Sequence, residues 1–329
     1  MWFEALTGLA ETSPQDVRQQ ISLEGECLRS HANGRILVCG RLETPSLAEL
    51  RERVDSIGYP SGKLTVREVV ANVQHLHADE LNANALFQVA SQFNLLEMVS
   101  PDVTPERGVG IYEHDHTQGP ACAMAAGAGT IFRNYFADVN GQTGQSADNQ
   151  LDCLADLGIA LGNAEGRLWE MRNGYPLASQ AGLVEMAERL TSADEAERDG
   201  WRQLLRIGIQ WRTQVTLKEC THLVSQAYGS ALPVAYSRHP SNLWAPFARL
   251  ILEASYEATI CTAILNSAQH GSNRLFLTLL GGGAFGNESD WILAGIQRAL
   301  NLYRNVDLDV AIVSYGASRP PVRRLASQF

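Results

Sequence analysis

Hydrophobic positions in the second half of the chain switch repeatedly between the helical and the strand period. Residues 243–269 place apolar side chains three and four positions apart, which predicts one long helix. Residues 274–280 form a short apolar run that predicts a buried strand, followed by a helix over 290–303 and a strand over 310–315. This alternation favours an α/β fold with helices packed on a sheet.

The first half carries shorter and weaker patterns. Ser46 and Glu49 form a capping-box pair, which predicts a helix from residue 47 onward. The remaining predicted elements are helices over 15–30, 121–136, 147–161, 183–190 and 194–205, strands over 35–42, 63–76, 86–91 and 207–217, and a strand–turn–strand over 222–236.

Composition limits the class of protein. The chain has 329 residues, 45% of them hydrophobic and 19% charged, as in an ordinary soluble protein. A net charge of −10 argues against non-specific nucleic-acid binding. Six scattered cysteines without a C-x-x-C pair predict reduced thiols and a cytoplasmic protein. The first residues do not resemble a signal peptide, and we expect no membrane span because no run of 18 apolar residues occurs.

The sharpest local pattern is a glycine-rich loop after the strand at 274–280. It reads Leu-Gly-Gly-Gly-Ala-Phe-Gly-Asn over residues 280–287 and ends just before a predicted helix. Glycines at such a turn let the backbone approach a ligand, and successive N–H groups there can bind an anion. A tight turn without a ligand is the alternative, since the loop matches neither of the two common nucleotide-binding motifs.

The order of elements around this loop resembles the C-terminal half of the macro domain family, in which a comparable loop wraps the diphosphate of ADP-ribose and packs on the distal ribose. The resemblance implies that this loop binds the ligand through Gly281, Gly282, Gly283, Ala284, Phe285, Gly286 and Asn287. Upstream, Asn72 stands where the family carries its adenine-binding aspartate, and Asn94 matches the last asparagine of a family motif.

Three further blocks resemble a bacterial-effector-related group that removes ADP-ribose from arginine, including arginine of ubiquitin. They are Thr-Gln-Gly-Pro at 117–120, Asn-Gly-Tyr at 173–175 and Ser-Ala-Leu-Pro at 230–233. The implied fold is a three-layer α/β/α macro-like sandwich with a mixed sheet over residues 64–329, with residues 1–63 as an N-terminal extension packed on the core. The implied partner is ADP-ribose or an ADP-ribosylated protein, with ubiquitin one candidate, and no cofactor is expected. Further implied ligand contacts are Gln92, Thr117, Gln118 and Gly119.

Cleavage of an N-glycosidic bond passes through an oxocarbenium-like state that carboxylates stabilise. Asp115 is the first candidate, and Glu113 shares its face if residues 111–115 are extended. Asp148 and Asp290 are secondary candidates, although each also suits a helix start. The histidine pairs at 75/77 and 114/116 lack a third metal ligand nearby, so no metal site is predicted.

Three other functions stay open. A non-catalytic module that binds ADP-ribose or another NAD metabolite would keep the loop but need no carboxylate at C1 of the ribose. A glycan or nucleoside hydrolase on an unrelated α/β scaffold would not bind ADP-ribose. A degenerate macro domain would have only a structural role.

Overall fold

The computed structural model describes residues 1–59 and 61–329. The strands are β1 Ile21–Glu24, β2 Cys27–Ser30, β3 Ile36–Val38, β4 Arg41–Glu43, β5 Thr65–Val70, β6 Leu86–Ala90, β7 Asp138–Val139, β8 Gln142–Thr143, β9 Trp169–Arg172, β10 Tyr175–Ala178, β11 Gly208–Gln214, β12 Leu223–Gly229, β13 Arg274–Leu277 and β14 Asp309–Ser314. The helices are α1 Trp2–Thr7, α2 Pro14–Gln20, α3 Leu47–Ile57, α4 Val73–Ala78, α5 Gln118–Ala125, α6 Gly127–Tyr135, α7 Ala155–Leu161, α8 Gln180–Ser192, α9 Glu195–Arg202, α10 Ser241–His270, α11 Ser289–Leu302 and α12 Pro320–Ala326.

Seven strands form the central sheet, in the order β4-β11-β12-β6-β13-β14-β5. The four pairings from β12 to β5 are parallel, whereas β4 and β12 each run antiparallel to β11. The carboxyl ends of the parallel strands therefore lie at one edge of the sheet, where ligands of open α/β sheets commonly bind.

Helices cover both faces of this sheet. On β6, the Phe87 ring stacks on His77 of α4, with ring centroids 3.8 Å apart. The next residue, Gln88, donates from Nε2 to Thr259 Oγ1 of α10 at 3.0 Å. Because successive strand residues point to opposite faces, α4 and α10 lie on opposite sides of the sheet. The predicted three-layer α/β/α arrangement with a mixed sheet is confirmed.

The first 63 residues contribute to two parts of the fold. Strands β1, β2 and β3 form a separate small sheet, but β4 joins the edge of the central sheet beside β11. Helix α3 begins at the predicted capping box of Ser46 and Glu49. It packs on α10, where Arg51 donates to Glu257 at 2.6 Å.

Several predicted elements are wrong in extent. The helix over 15–30 ends at Gln20, because Ile21 adopts the extended φ −124° and ψ 124° and begins β1. Gly25, at φ 63°, then turns the chain from β1 into β2. The strand over 63–76 ends at Val70, because the Asn72 side chain accepts from Gln74 N at 2.8 Å and starts α4. The strand over 35–42 is divided into β3 and β4 around Gly40, which adopts φ 72°.

Three more corrections concern later segments. The helix over 121–136 is two helices that meet at Ala126, whose φ −119° and ψ 57° are not helical. The helix over 147–161 begins only at Ala155, since Gln145 Oε1 accepts the Leu151 N–H at 3.1 Å and diverts it from helical pairing. The second strand of 222–236 is instead a single 3₁₀ turn, Val234–Tyr236. No helix in the described ranges is long and apolar enough to span a bilayer.

Candidate functional site

The glycine-rich loop follows β13 at the carboxyl edge of the sheet. Three internal hydrogen bonds shape it: Gly282 N to Leu279 O at 3.0 Å, Gly286 N to Gly283 O at 3.0 Å and Asn287 N to Gly281 O at 2.9 Å. Within the described residues, the N–H groups of residues 281, 283, 284 and 285 have no acceptor. Unpaired consecutive N–H groups of this kind form a concave site for an anion.

Neighbouring elements hold the loop in place. Tyr256 of α10 accepts from Leu280 N and donates to Thr278 O, both at 2.8 Å. Asn287 is buried and donates from Nδ2 to Leu232 O at 2.8 Å. Gly281 has φ 73°, and a Cβ on it would lie 2.4 Å from the Cβ of Ala231. These contacts hold both ends of the loop against the sheet and α10.

A cleft with two chambers lies along the loop. The aromatic chamber is lined by Ser91, Gln92, Glu97, Tyr175, Tyr236 and Phe285 among others. The asparagine chamber is lined by Asn72, Gln74, Ser314, Tyr315 and Arg319 among others. Asp115, Thr117, Gln118, Thr278, Leu279 and Gly283 line both chambers, so the two chambers adjoin at these residues and are together called the cleft.

Three aromatic rings close the aromatic chamber. The Phe285 ring centroid lies 5.3 Å from that of Tyr175 and 5.6 Å from that of Tyr236. Tyr175 also donates its hydroxyl to Met98 O at 2.6 Å. Tyr175 belongs to the Asn-Gly-Tyr block at 173–175 noted in the sequence, but neither it nor Tyr236 was predicted as a ligand contact. Together the rings provide an apolar wall of a size that suits a sugar ring.

Asp115 ends a 3₁₀ helix, Gly110–His114, and its Oδ1 accepts from Thr117 N at 2.8 Å. The extended conformation assumed for residues 111–115 is wrong. Because a 3₁₀ helix has three residues per turn, positions 113 and 115 do not share a face. Glu113 lies outside the residues lining the two chambers and accepts from Trp2 N at 2.9 Å.

The other two predicted carboxylates also lie away from the cleft. Asp290 pairs with Arg249 at 2.6 Å on the exposed side of α11. Asp148 is exposed in the irregular segment before α7. Of the four carboxylates predicted to act in catalysis, the structure places only Asp115 against the cleft.

Of the amide side chains of Gln92, Asn94 and Gln118, all predicted to contact the ligand, two line the cleft and one does not. Gln118 lines both chambers, and its side chain also bonds to β6, accepting from Ala90 N at 2.9 Å and donating to Gln88 O at 2.8 Å. Gln92 lines the aromatic chamber and bonds to both N and O of Met98, at 2.8 and 3.2 Å. Asn94 is fully buried, bonds to Gln150 and does not line the cleft.

Gly119 lies where α5 passes closest to β6. A Cβ on this glycine would lie 2.0 Å from Ala90 O, so only glycine allows the approach. This contact brings the start of α5, with Thr117, to the wall of both chambers.

Glu97 is a lining residue that the sequence analysis missed. It is 2% exposed, and its carboxylate lies 3.3 Å from the buried Arg133 guanidinium. Burial raises the pKa of Glu97 to about 7, against the opposing effect of Arg133. A lone carboxylate in the apolar run at 95–98 was the available signal, since charged residues are rarely buried without a partner.

Metal-binding side chains are not clustered in the structure: across the described residues, no group of three or more His, Cys, Asp or Glu side chains is arranged to hold a metal ion. His75 and His77 lie on helix α4, and His77 is buried against Phe87.

Comparison with known proteins gives similarity at the level of structure alone. No protein-family model matches the chain, and no curated protein matches it. A poly(ADP-ribose) glycohydrolase from Deinococcus radiodurans, solved with ADP-ribose, is 14% identical with a TM-score of 0.46, over 88% of this chain and 92% of that one. The enzyme of that name from Thermomonospora curvata is 11% identical with a TM-score of 0.44, over 95% and 94%. Its complex with the inhibitor ADP-HPD gives 12% and 0.42, over 96% of both chains.

Proposed function

We propose that the chain is a hydrolase that removes ADP-ribose from a modified protein side chain, with arginine as that residue and ubiquitin as a candidate carrier. The observation that carries the proposal is the position of Asp115, at the junction of two chambers and beside a loop of unpaired N–H groups. A two-chamber cleft with an anion site between its ends suits a dinucleotide-like ligand.

The proposed ligand extends along the cleft, with adenine in one chamber and the distal ribose in the other. Adenine occupies the asparagine chamber, where Asn72 begins α4 and Tyr315 is 74% exposed. The diphosphate lies against the N–H groups of the loop. The distal ribose packs on Phe285 in the aromatic chamber, which brings its C1 toward Asp115.

In this arrangement the reaction is a hydrolysis at C1. The bond between C1 and the guanidine nitrogen breaks, a water oxygen bonds to C1, and a proton from that water ends on the released guanidine. The Asp115 carboxylate stabilises the positive charge that develops on the ribose and orients the water. The ribosyl-guanidine is cationic, so a carboxylate beside C1 also favours its binding.

The test is release of ADP-ribose from an arginine-ADP-ribosylated peptide by the wild type and by Asp115→Asn. Asparagine keeps an oxygen that can accept from Thr117 N, so the loop retains its shape. The rate should fall by about 100-fold or more, as for loss of a general acid–base group, while ADP-ribose still binds. Asp148→Asn and Asp290→Asn, both outside the cleft, should retain the wild-type rate.

Binding without turnover in the wild type would instead support the non-catalytic module. An unchanged rate in Asp115→Asn would remove Asp115 from the mechanism.

A further inference from the structure

The turn after β14 is built around one carboxylate. Glu68 of β5 accepts from Ser314 Oγ at 2.7 Å, from Arg319 N at 2.6 Å and from Ser318 Oγ. These contacts join the two ends of residues 314–319 to the neighbouring strand. The turn is thereby held where Tyr315 and Arg319 line the asparagine chamber.

The Arg319 guanidinium is left free by this arrangement. Glu68 bonds to the backbone N–H of Arg319, and no carboxylate in the described ranges forms a salt bridge with its side chain. Arg319 lines the same chamber as Gly282 and Gly283 of the anion-binding loop.

Arg319 brings positive charge to a cleft whose other charged side chains are carboxylates. Among the described residues lining the two chambers, Arg319 is the single arginine or lysine, while Glu97 and Asp115 supply carboxylates. The whole chain carries a net charge of −10. Backbone N–H groups bring only partial positive charge to a diphosphate, whereas a guanidinium brings a full charge and a planar fork that matches phosphate oxygens.

We propose that Arg319 binds a phosphate group of the ligand opposite the glycine-rich loop, and that Glu68 is the positioning residue that directs it there. The inference rests on the proposed function for the identity of the ligand, but the chemistry it requires is only a diphosphate. The cleft would therefore select phosphate-bearing nucleotides over uncharged nucleosides through Arg319 as well as through the loop.

The experiment is a calorimetric titration of full-length wild type and Arg319→Met with ADP-ribose, inorganic pyrophosphate and adenosine. The variant should bind ADP-ribose and pyrophosphate about 10- to 100-fold more weakly, the range of one charged hydrogen bond, and should bind adenosine unchanged. Arg319→Lys should fall between the two, because it keeps the charge without the fork. Arg324→Met, at an exposed arginine of helix α12, which begins directly after Arg319, is the matched control and should bind all three as the wild type does.

Glu68→Ala tests the positioning role. It should weaken pyrophosphate binding by no more than Arg319→Met does, and the double variant should bind pyrophosphate no more weakly than Arg319→Met alone. A further loss in the double variant would show that Glu68 does not act through Arg319 and would overturn its positioning role.

The outcomes separate this inference from the proposed function. Wild-type binding of pyrophosphate but not ADP-ribose, with the pyrophosphate affinity reduced in Arg319→Met, would overturn the proposed function and support this inference. Equal affinities of wild type and Arg319→Met for both phosphate ligands would overturn the inference and leave the proposed function intact. A wild type that binds neither would overturn both.

Discussion

Gly283 offers a way to block the cleft without disturbing the fold. A Cβ built on Gly283 has no heavy atom within 4 Å, and its φ is outside the left-handed region. A glutamate at this position therefore extends into open space at the wall shared by both chambers. We expect Gly283→Glu to change the free energy of unfolding by no more than about 0.5 kcal/mol, as for a surface substitution.

The same substitution should remove ligand binding. Two like charges about 5 Å apart repel by about 3 kcal/mol at the effective dielectric of a protein surface. A carboxylate beside a bound diphosphate should thus weaken binding by at least about 100-fold, before any steric effect is counted. The assay pairs urea unfolding with calorimetric titration of ADP-ribose.

Three further glycine variants complete the experiment. Gly283→Ala should bind within a few-fold of the wild type, because it adds neither charge nor bulk. Gly200→Glu is the distant control, since its Cβ also meets open space. Gly281→Ala should instead destabilise the protein, because of φ 73° and the 2.4 Å approach to Ala231. Wild-type affinity in a folded Gly283→Glu variant would refute the assignment of this loop as the anion site.

Three other substitutions test separate parts of the structure. Burial lowers the pKa of His77 to about 4, so only the unfolded chain takes up its proton between pH 6.5 and 4, and stability falls as pH falls. In urea unfolding, His77→Gln should reduce the fall in unfolding free energy between pH 6.5 and 4 by up to about 3 kcal/mol. The control His31→Gln, at an exposed position, should keep the wild-type dependence of stability on pH. Glu97→Ala should lower the free energy of unfolding at pH 8 by about 3–5 kcal/mol, because the buried Arg133 loses its counter-charge. A change under about 1 kcal/mol would show that the Glu97–Arg133 pair does not stabilise the fold. Phe285→Ala should weaken ADP-ribose binding about tenfold, the equivalent of one aromatic contact, and calorimetry showing equal affinity would place the distal ribose elsewhere.

Local patterns were sufficient where one segment determines its own structure. The loop at 280–287 was recognisable because its glycines, the preceding buried strand and the following helix are adjacent in sequence. The long helix α10 was recognisable for the same reason, since its apolar period extends over many turns. The capping box at Ser46 likewise depends on two residues of a single turn.

Other features depend on contacts between distant segments and could not be inferred from one stretch of sequence. Tyr175 and Tyr236 meet Phe285 from separate parts of the chain. Glu113 and Asp115 were predicted to share a face, but the 3₁₀ helix directs them apart. Glu113 instead accepts a hydrogen bond from Trp2 N of α1. A carboxylate near a helix start has the same local pattern whether it faces solvent or a cleft.

Binding of ADP-ribose in the cleft is the central claim. The measurement is calorimetric titration of the purified wild-type chain with ADP-ribose at moderate ionic strength. We expect saturable binding of one ligand per chain, absent from the folded Gly283→Glu variant. No heat and no thermal stabilisation at millimolar ADP-ribose would contradict the central claim and leave only the α/β fold.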